Sequence, residues 1–397
     1  MHPIACSHPL AKLATFLRTS ALLVPLAAVL MAAPAPARGA AADPAGTRLA
    51  GREIYAAACA ACHGMDGTGA PPSTLAFDTP MPDFTDCSFA SREPDADWVA
   101  VTHQGGPARG FAPMMPAFGD TLDVDQIQRA VDHVRGFCGD DAWPRGDLNL
   151  PRAMFTEKAF PEDEAVLTVG ATVEGRTEIP VELLYGKRLG VRNQLEVAVP
   201  FTLRERLDPA SADGSATDGW EAGLGDVALG LKRVMWHSLA AGSIVTATAE
   251  FVLPTGDEDD GFGSGTTVFE PFLTYGQILP ADLGFLQFQG GAELPFDRDR
   301  TGEEGFWRGV WGRTFEQAHW GRAWSPMVEL LGSRELVSGA DVQWDLAPQV
   351  QVSLNTRQHV LGNLAVRLPL TDAADRPTEI YLYILWDWFD GGLTEGW

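Results

Sequence analysis

Leu195-Glu196-Val197-Ala198-Val199-Pro200-Phe201-Thr202-Leu203-Arg204 is the stretch that decides the fold. Leu195, Val197, Val199, Phe201 and Leu203 alternate with mostly polar or small residues. A period of two puts the two sets on opposite faces of a strand. Ten residues exceed the five or six of an ordinary soluble strand but match the roughly 9–11 needed to cross a bilayer. The pattern recurs on both sides. Leu167, Val169, Ala171 and Val173 alternate with Thr168, Gly170, Thr172 and Glu174, and Val245, Ala247, Ala249, Phe251 and Leu253 follow the same rule. Leu286, Phe288, Ala292, Leu294 and Phe296 repeat it, as do Val360, Leu364, Val366, Leu368 and Leu370. About twelve such strands are expected, starting near 165, 178, 194, 222, 243, 267, 284, 305, 325, 341, 357 and 378. Residues 164–397 therefore read as an antiparallel transmembrane β-barrel of about 12 strands. A soluble β-sandwich or propeller is the competing reading, and strand length disfavours it.

Loop lengths give an independent test. The large connections 205–219, 255–265, 297–304 and 371–377 all follow odd strands, whereas 188–193, 237–242, 279–282 and 354–356 follow even ones. Long outer loops and short periplasmic turns are the rule for such barrels, so the first strand is expected to start in the periplasm. Pro200, Pro254, Pro295 and Pro369 sit near the ends of odd strands, towards the outer rim, where a missing N–H matters least. The last strand, Ile380 to Trp388, is aromatic-rich and the chain ends at Trp397, which resembles bacterial outer-membrane proteins. The outer loops are acidic, most densely at Asp257-Glu258-Asp259-Asp260, with Asp208, Asp213, Asp218, Asp297, Asp299, Glu303 and Glu304 nearby. They read as solvated loops, the sharper alternative being capture of hard divalent cations.

The 397 residues carry a formal charge of −24, the opposite of what a nucleic-acid partner requires. After the first 33 residues no apolar run reaches the length of a transmembrane helix. Residues 1–42 contain Lys12, Arg18 and Arg38 but no acid, then an apolar run Ala21–Ala33 and small residues Gly39 to Ala42. This reads as a secretory signal peptide. Export to an oxidising compartment matters for Cys59, Cys62, Cys87 and Cys138.

Between leader and strands the period is 3.6. Gly51 to Ala58 reads as a helix that delivers Cys59-Ala60-Ala61-Cys62-His63, a C-x-x-C-H motif. Two cysteines at this spacing can form thioethers to the two vinyl groups of one haem, with the following histidine placed on the iron. A zinc half-site or redox dithiol is the alternative, but neither a second close pair nor a strand–helix context is seen. A sixth iron ligand must come from a distant loop, and Gly110-Phe111-Ala112-Pro113-Met114-Met115-Pro116-Ala117-Phe118 is such a loop. A helix follows, with Asp123 and Gln126 as a capping box and Ile127, Ala130, Val131 and Val134 on one face.

Cys59 to Gly69, then Met115-Pro116-Ala117-Phe118, then a helix ending Val134-Arg135-Gly136-Phe137, resembles a class I, single-haem cytochrome c. The resemblance implies a small all-helical domain, taken here as residues 43–140, holding one covalent haem c. It implies His63 as the proximal iron ligand and Met115 as the distal one, with Met114 as the alternative. Pro71 or Pro72 would supply the carbonyl that holds the proximal imidazole. Met65, Met81 and His103 are weaker ligand candidates, better read as packing or polar residues. Cys87 and Cys138 are extra to the simple pattern and are either a disulfide or two free thiols. Residues 141–163 read as a linker, extended because of Pro144, Pro151 and Pro161, with Trp143, Phe155 and Phe160 able to dock.

The whole is similar in architecture to cytochrome–porin fusions. It implies a multidomain α + β chain performing one-electron transfer at the outer membrane, rather than an enzyme, although ferrous-iron oxidation stays open. Its partners would be a periplasmic redox protein or an extracellular electron donor or acceptor, and outer-membrane lipid. The alternative is a channel for small solutes with the haem domain as a redox-sensitive plug or docking module.

Overall fold

The computed structural model describes residues 49–207, 216–317 and 320–397. The signal-peptide expectation for residues 1–42 and the acids Asp208 and Asp213 lie outside them. Among the described residues no helix is long and apolar enough to cross a membrane.

Among the described residues the N-terminal part holds five α-helices: α1 (Gly51–Ala58), α2 (Ala60–His63), α3 (Cys87–Ala90), α4 (Asp95–Gln104) and α5 (Val124–Arg135). Asp123 and Gln126 form the capping box that starts α5, and Ile127, Ala130, Val131 and Val134 are buried on its inner face. Tyr55 of α1, Phe84 and Val134 build one apolar cluster, which Cys59, Phe89, Trp98 and Phe137 extend. Cys87 and Cys138 are bonded to each other, tying α3 to the residues after α5.

The rest is one closed antiparallel sheet. Its strands are β1 (Glu164–Thr172), β2 (Glu178–Leu189), β3 (Asn193–Leu207), β4 (Ala216–Leu224 and, after a break, Val227–Ser238), β5 (Ser243–Leu253) and β6 (Val268–Ile278). They continue as β7 (Phe285–Pro295), β8 (Glu304–Gly312, with Phe315–Glu316 beyond it), β9 (Ala323–Glu335), β10 (Gln343–Ser353), β11 (Val360–Pro369) and β12 (Glu379–Asp387). Each pairs with the next, and β12 returns to β1 from Glu164↔Asp387 to Thr172↔Glu379, so no edge is left open. The twelve strands are those expected from the alternation, within a few residues.

The fourth strand is the exception. It begins at Ala216 rather than near 222 and breaks at Gly225-Asp226. The Asp226 carboxylate is drawn out of the wall, accepting from the Gly256 and Ser264 N–H groups at 2.9 and 2.7 Å. Pro200 lies opposite this break, between Ala198↔Ala228 and Phe201↔Leu224, and its carbonyl accepts from Gly225 N–H at 2.9 Å. Pro200 therefore sits in mid-strand, where the neighbouring wall lacks a ladder partner, not at the rim. Pro254, Pro295 and Pro369 do lie at strand ends.

The faces obey the alternation. Leu167, Leu183, Leu195, Leu273, Leu364 and Leu382 project outward and are about half exposed, while Gln194, Glu196, Lys232, Thr274, Gln287 and Glu329 point inward and are buried. Exposed aromatic residues band both ends. Tyr185, Trp236, Trp311 and Trp324 lie near the short turns, and Trp220, Phe251, Phe296 and Trp307 near the long loops. An apolar waist between two aromatic girdles is the form of a barrel solvated by lipid.

Candidate haem site and the filled lumen

Helix α1 ends at Ala58, and the chain turns at Cys59 into the single turn of α2, which carries Cys62 and His63. Gly64 N–H closes that turn on the Ala60 carbonyl at 2.9 Å. The next loop folds back over the motif, with Ala70 N–H bonded to the Cys62 carbonyl at 2.8 Å and Gly69 N–H to the His63 carbonyl at 3.0 Å. Gly67 has φ +81°, and a Cβ there would lie 2.6 Å from the Phe137 ring, so only glycine permits this wrap. The buried Tyr55 hydroxyl donates to the Gly64 carbonyl at 2.6 Å.

Cys59 and Cys62 are both unpaired, although the other two described cysteines are bridged. His63 stacks on Phe84 with ring centroids 4.9 Å apart, and its Nδ1 is buried with no hydrogen-bond partner. Burial lowers the His63 pKa, favouring the neutral imidazole that a metal requires. Burial, then the neighbouring Cys62, pushes the Cys59 thiol up to about 11. Burial likewise carries Tyr55 to about 12. Two free thiols and an orphaned imidazole nitrogen on adjacent turns are the donor set that a covalent haem uses, so the residues present fit that group. Neither proline carbonyl takes the His63 proton here. Pro71 accepts from Thr74 N–H at 2.8 Å and from its hydroxyl, and Pro72 accepts from Leu75.

The loop carrying Met114 and Met115 leaves α4 through a glycine pair. Gly106 N–H donates to the Met115 carbonyl at 3.0 Å, and Phe111 N–H donates to the Gly106 carbonyl at 2.9 Å. Met114 is 45% exposed, whereas Met115 is half-buried beside Gly106. His103 packs at a tilt against Trp320, 5.4 Å between centroids, and bonds Gln104, so it is engaged at the barrel rim.

The helical domain rests on the short-turn end of the barrel. Arg109 reaches the Trp320 carbonyl at 2.5 Å, Arg192 donates to the Ala142 carbonyl at 3.1 Å, and the Arg92 guanidinium stacks on Phe389 while pairing with Asp163.

The linker is not a spacer. Residues 149–163 pass into the lumen and fill it, and with Leu148 they touch every strand. The Arg152 carbonyl accepts from Tyr383 at 2.6 Å, Met154 N–H bonds Gln349, and the Phe155 and Thr156 N–H groups converge on the Glu329 carboxylate. Arg308 holds the Phe155 carbonyl and Gln287 the Pro151 carbonyl. Lys232, fully buried, pairs with Glu157 of the linker at 3.1 Å and with Glu196 of the wall at 2.8 Å. Arg152 and Lys158 both face Glu164. Towards the turns, Leu148, Ala159 and Phe160 pack on Val234, Ile244 and Ile278, while Leu150 and Ala153 pack on Phe285, Val310 and Met327. Beyond Phe155 a cavity of about 130 Å³ remains, lined by Glu293, Glu304, Arg308, Asp345 and Arg367.

The occupant of the lumen is thus the linker, not the haem domain. Composition hinted that it docks, but where it docks could not be read from it. The one available signal was charge at inward strand positions, such as Lys232 and Glu329, which need partners. Two acids of the long loops are paired, Glu258 with Arg300 of the loop after β7 and Glu303 with Arg298. Among the described residues no group of three or more His, Cys, Asp and Glu is arranged to hold a metal ion.

Residues 47–134 match the family model described as cytochrome c oxidase, cbb3-type, subunit III. No curated protein matches the chain. Similar solved structures include an outer-membrane channel from Pseudomonas putida F1, at 14% identity over 60% of this chain and 99% of that one, TM-score 0.43. The KdgM porin follows at 11% identity (56% and 98% covered, TM-score 0.34) and the NanC porin at 8% (56% and 97% covered, TM-score 0.37). The barrel itself is established by its hydrogen-bond register. The chain is a cytochrome c domain fused to a closed twelve-strand barrel.

Proposed function

We propose that the protein is a one-electron carrier fixed at the bacterial outer membrane, with a single covalent haem c on the periplasmic side of a barrel sealed by its own linker. The observation that carries the reading is the pair of free thiols, Cys59 and Cys62, beside a buried His63 whose Nδ1 has no partner. Cys59 and Cys62 would hold the porphyrin through thioethers, His63 one face of the iron and Met115 the other. The haem would supply one-electron redox chemistry. With His63 and Met115 both holding the metal, the domain would exclude substrate from it and would work by outer-sphere transfer.

The apolar waist and aromatic girdles support a lipid-embedded barrel. The haem domain packs against the short turns, the end that faces the periplasm in such barrels. A periplasmic redox protein is then the nearest partner. The solute-channel reading is disfavoured, because a pore would require residues 149–163 to leave bonds made to all sides of the wall.

Haem staining after denaturing electrophoresis tests the attachment. Wild type retains the stain, and Cys59→Ala with Cys62→Ala loses it. A wild-type band without stain overturns the covalent reading. Replacing Met115 removes the far-red thioether–iron absorption, and replacing Met114 leaves it. Proteoliposomes of the full chain should not swell in small sugars, and swelling at porin-like rates would restore the channel reading.

A further inference from the structure

The loop that carries Met115 is held from outside its own domain. Arg357 lies in the turn between β10 and β11, yet its guanidinium donates to the Gly110 carbonyl at 2.8 Å and sits 4.6 Å over the Phe111 ring. The same side chain bonds the Asp390 carbonyl at 2.6 Å and the Glu395 carboxylate at 2.8 Å, which anchors the C-terminal tail. The tail in turn presses on the loop. Gly110 has φ +68°, and a Cβ there would lie 2.6 Å from the Gly396 Cα. Gly396 is itself held by Thr356 N–H at 2.6 Å. From this clamp to the methionine is a short path, because Phe111 N–H bonds the Gly106 carbonyl and Gly106 N–H bonds the Met115 carbonyl.

We propose that Arg357 is a positioning residue for the distal haem ligand, so that the barrel's last turn and tail, not the haem domain alone, keep Met115 on the iron. The inference rests on the His63/Met115 reading. A loop fixed at one end by its own glycines and at the other by a charge-assisted bond opens less often than a loop fixed once. A barrel that has not closed its C-terminal end would then leave the iron with a weakly held sixth ligand, and so with a lower potential.

The test uses the full haem-loaded chain in detergent micelles, as wild type, Arg357→Ala, Arg357→Lys and Gly110→Ala. Added imidazole is the probe, since it takes the sixth position only when the loop opens. Arg357→Ala and Gly110→Ala should each raise the apparent imidazole affinity about tenfold, in proportion to the open fraction. Both should also lower the reduction potential and speed amide exchange over residues 106–118. Arg357→Lys, which keeps one donor and the charge over Phe111, should restore most of the effect. The gel shift of the folded barrel on heating reports that the wall is intact in each variant. Unchanged imidazole affinity and potential in both Arg357→Ala and Gly110→Ala, with the far-red band present in wild type, would overturn the inference alone. A wild type lacking that band would overturn the His63/Met115 reading beneath it.

Discussion

In the helical domain Ile54, Val99, Ile127 and Val131 are buried among apolar neighbours. Across the barrel wall the buried positions include the polar residues Gln194, Glu196, Lys232 and Glu329, while leucines such as Leu167, Leu183 and Leu195 face outward. Both regions obey one rule under different solvents. Water drives apolar groups inward in the first. Lipid offers no hydrogen bonds, so the second turns its leucines out and must satisfy every inward polar group by itself. The linker partners several of them. It brings backbone N–H groups to Glu329 and Gln349, and Glu157 to Lys232, in a space that would otherwise be wet.

The largest effect that tests this contrast is on the lumen charge network. Lys232→Met leaves Glu157 and Glu196 facing each other unpaired and should cost about 3–5 kcal/mol of barrel stability in denaturant unfolding from micelles. A cost under about 1 kcal/mol would mean the lumen is hydrated and the linker only loosely seated. The next is confined to the helical domain. Replacing Cys87 and Cys138 by serine should cost about 2–4 kcal/mol there. Barrel unfolding should not move, and if it does, the two regions unfold as one unit.

A third comparison places the same change in both solvents. Leu183 and Val124 are similarly exposed, at 51% and 44%. Leu183→Arg should cost about 2–4 kcal/mol, as for a cation near a bilayer midplane. Val124→Arg should stay within about 0.5 kcal/mol, as on a watered surface. Equal costs would remove the lipid from the account.

The smallest effect lies where the regions meet. Glu93 and Asp97 of the helical domain face Asp387, Asp390 and Glu395 of the barrel end, with Arg135 and Arg357 as counter-charges. Burial, then Asp387, raises Asp390 from 3.8 to about 8, and burial raises Glu93 well above its ordinary value. A raised carboxyl pKa means that the docked state binds the extra proton. Docking should therefore be firmest at low pH and weaken as pH rises through the interval up to about 8. Limited proteolysis between about pH 5 and pH 9 should release the helical domain more readily at the alkaline end. Asp390→Asn should flatten that trend, and a trend of opposite sign would show that the pair is ionised in the docked state.

The strands were legible because period two is local, and a residue's face follows from its neighbours alone. Leu195 and Leu167 declare themselves outward without reference to any distant part of the chain. The break in β4 was not legible, since it depends on Asp226 meeting Gly256 and Ser264 in a loop some thirty residues on. The C-x-x-C-H motif and the capping box at Asp123 were readable for the same local reason. The Cys87–Cys138 bond stayed open until the two ends were seen together.

By itself the sequence determined the strand count and the alternation of the wall's two faces, because each is written in short-range spacing and side-chain chemistry. Only the tertiary structure decided that residues 149–163 fill the lumen and that Arg357 grips the Met115 loop. Those contacts join segments up to about 250 residues apart, so no short-range spacing encodes them.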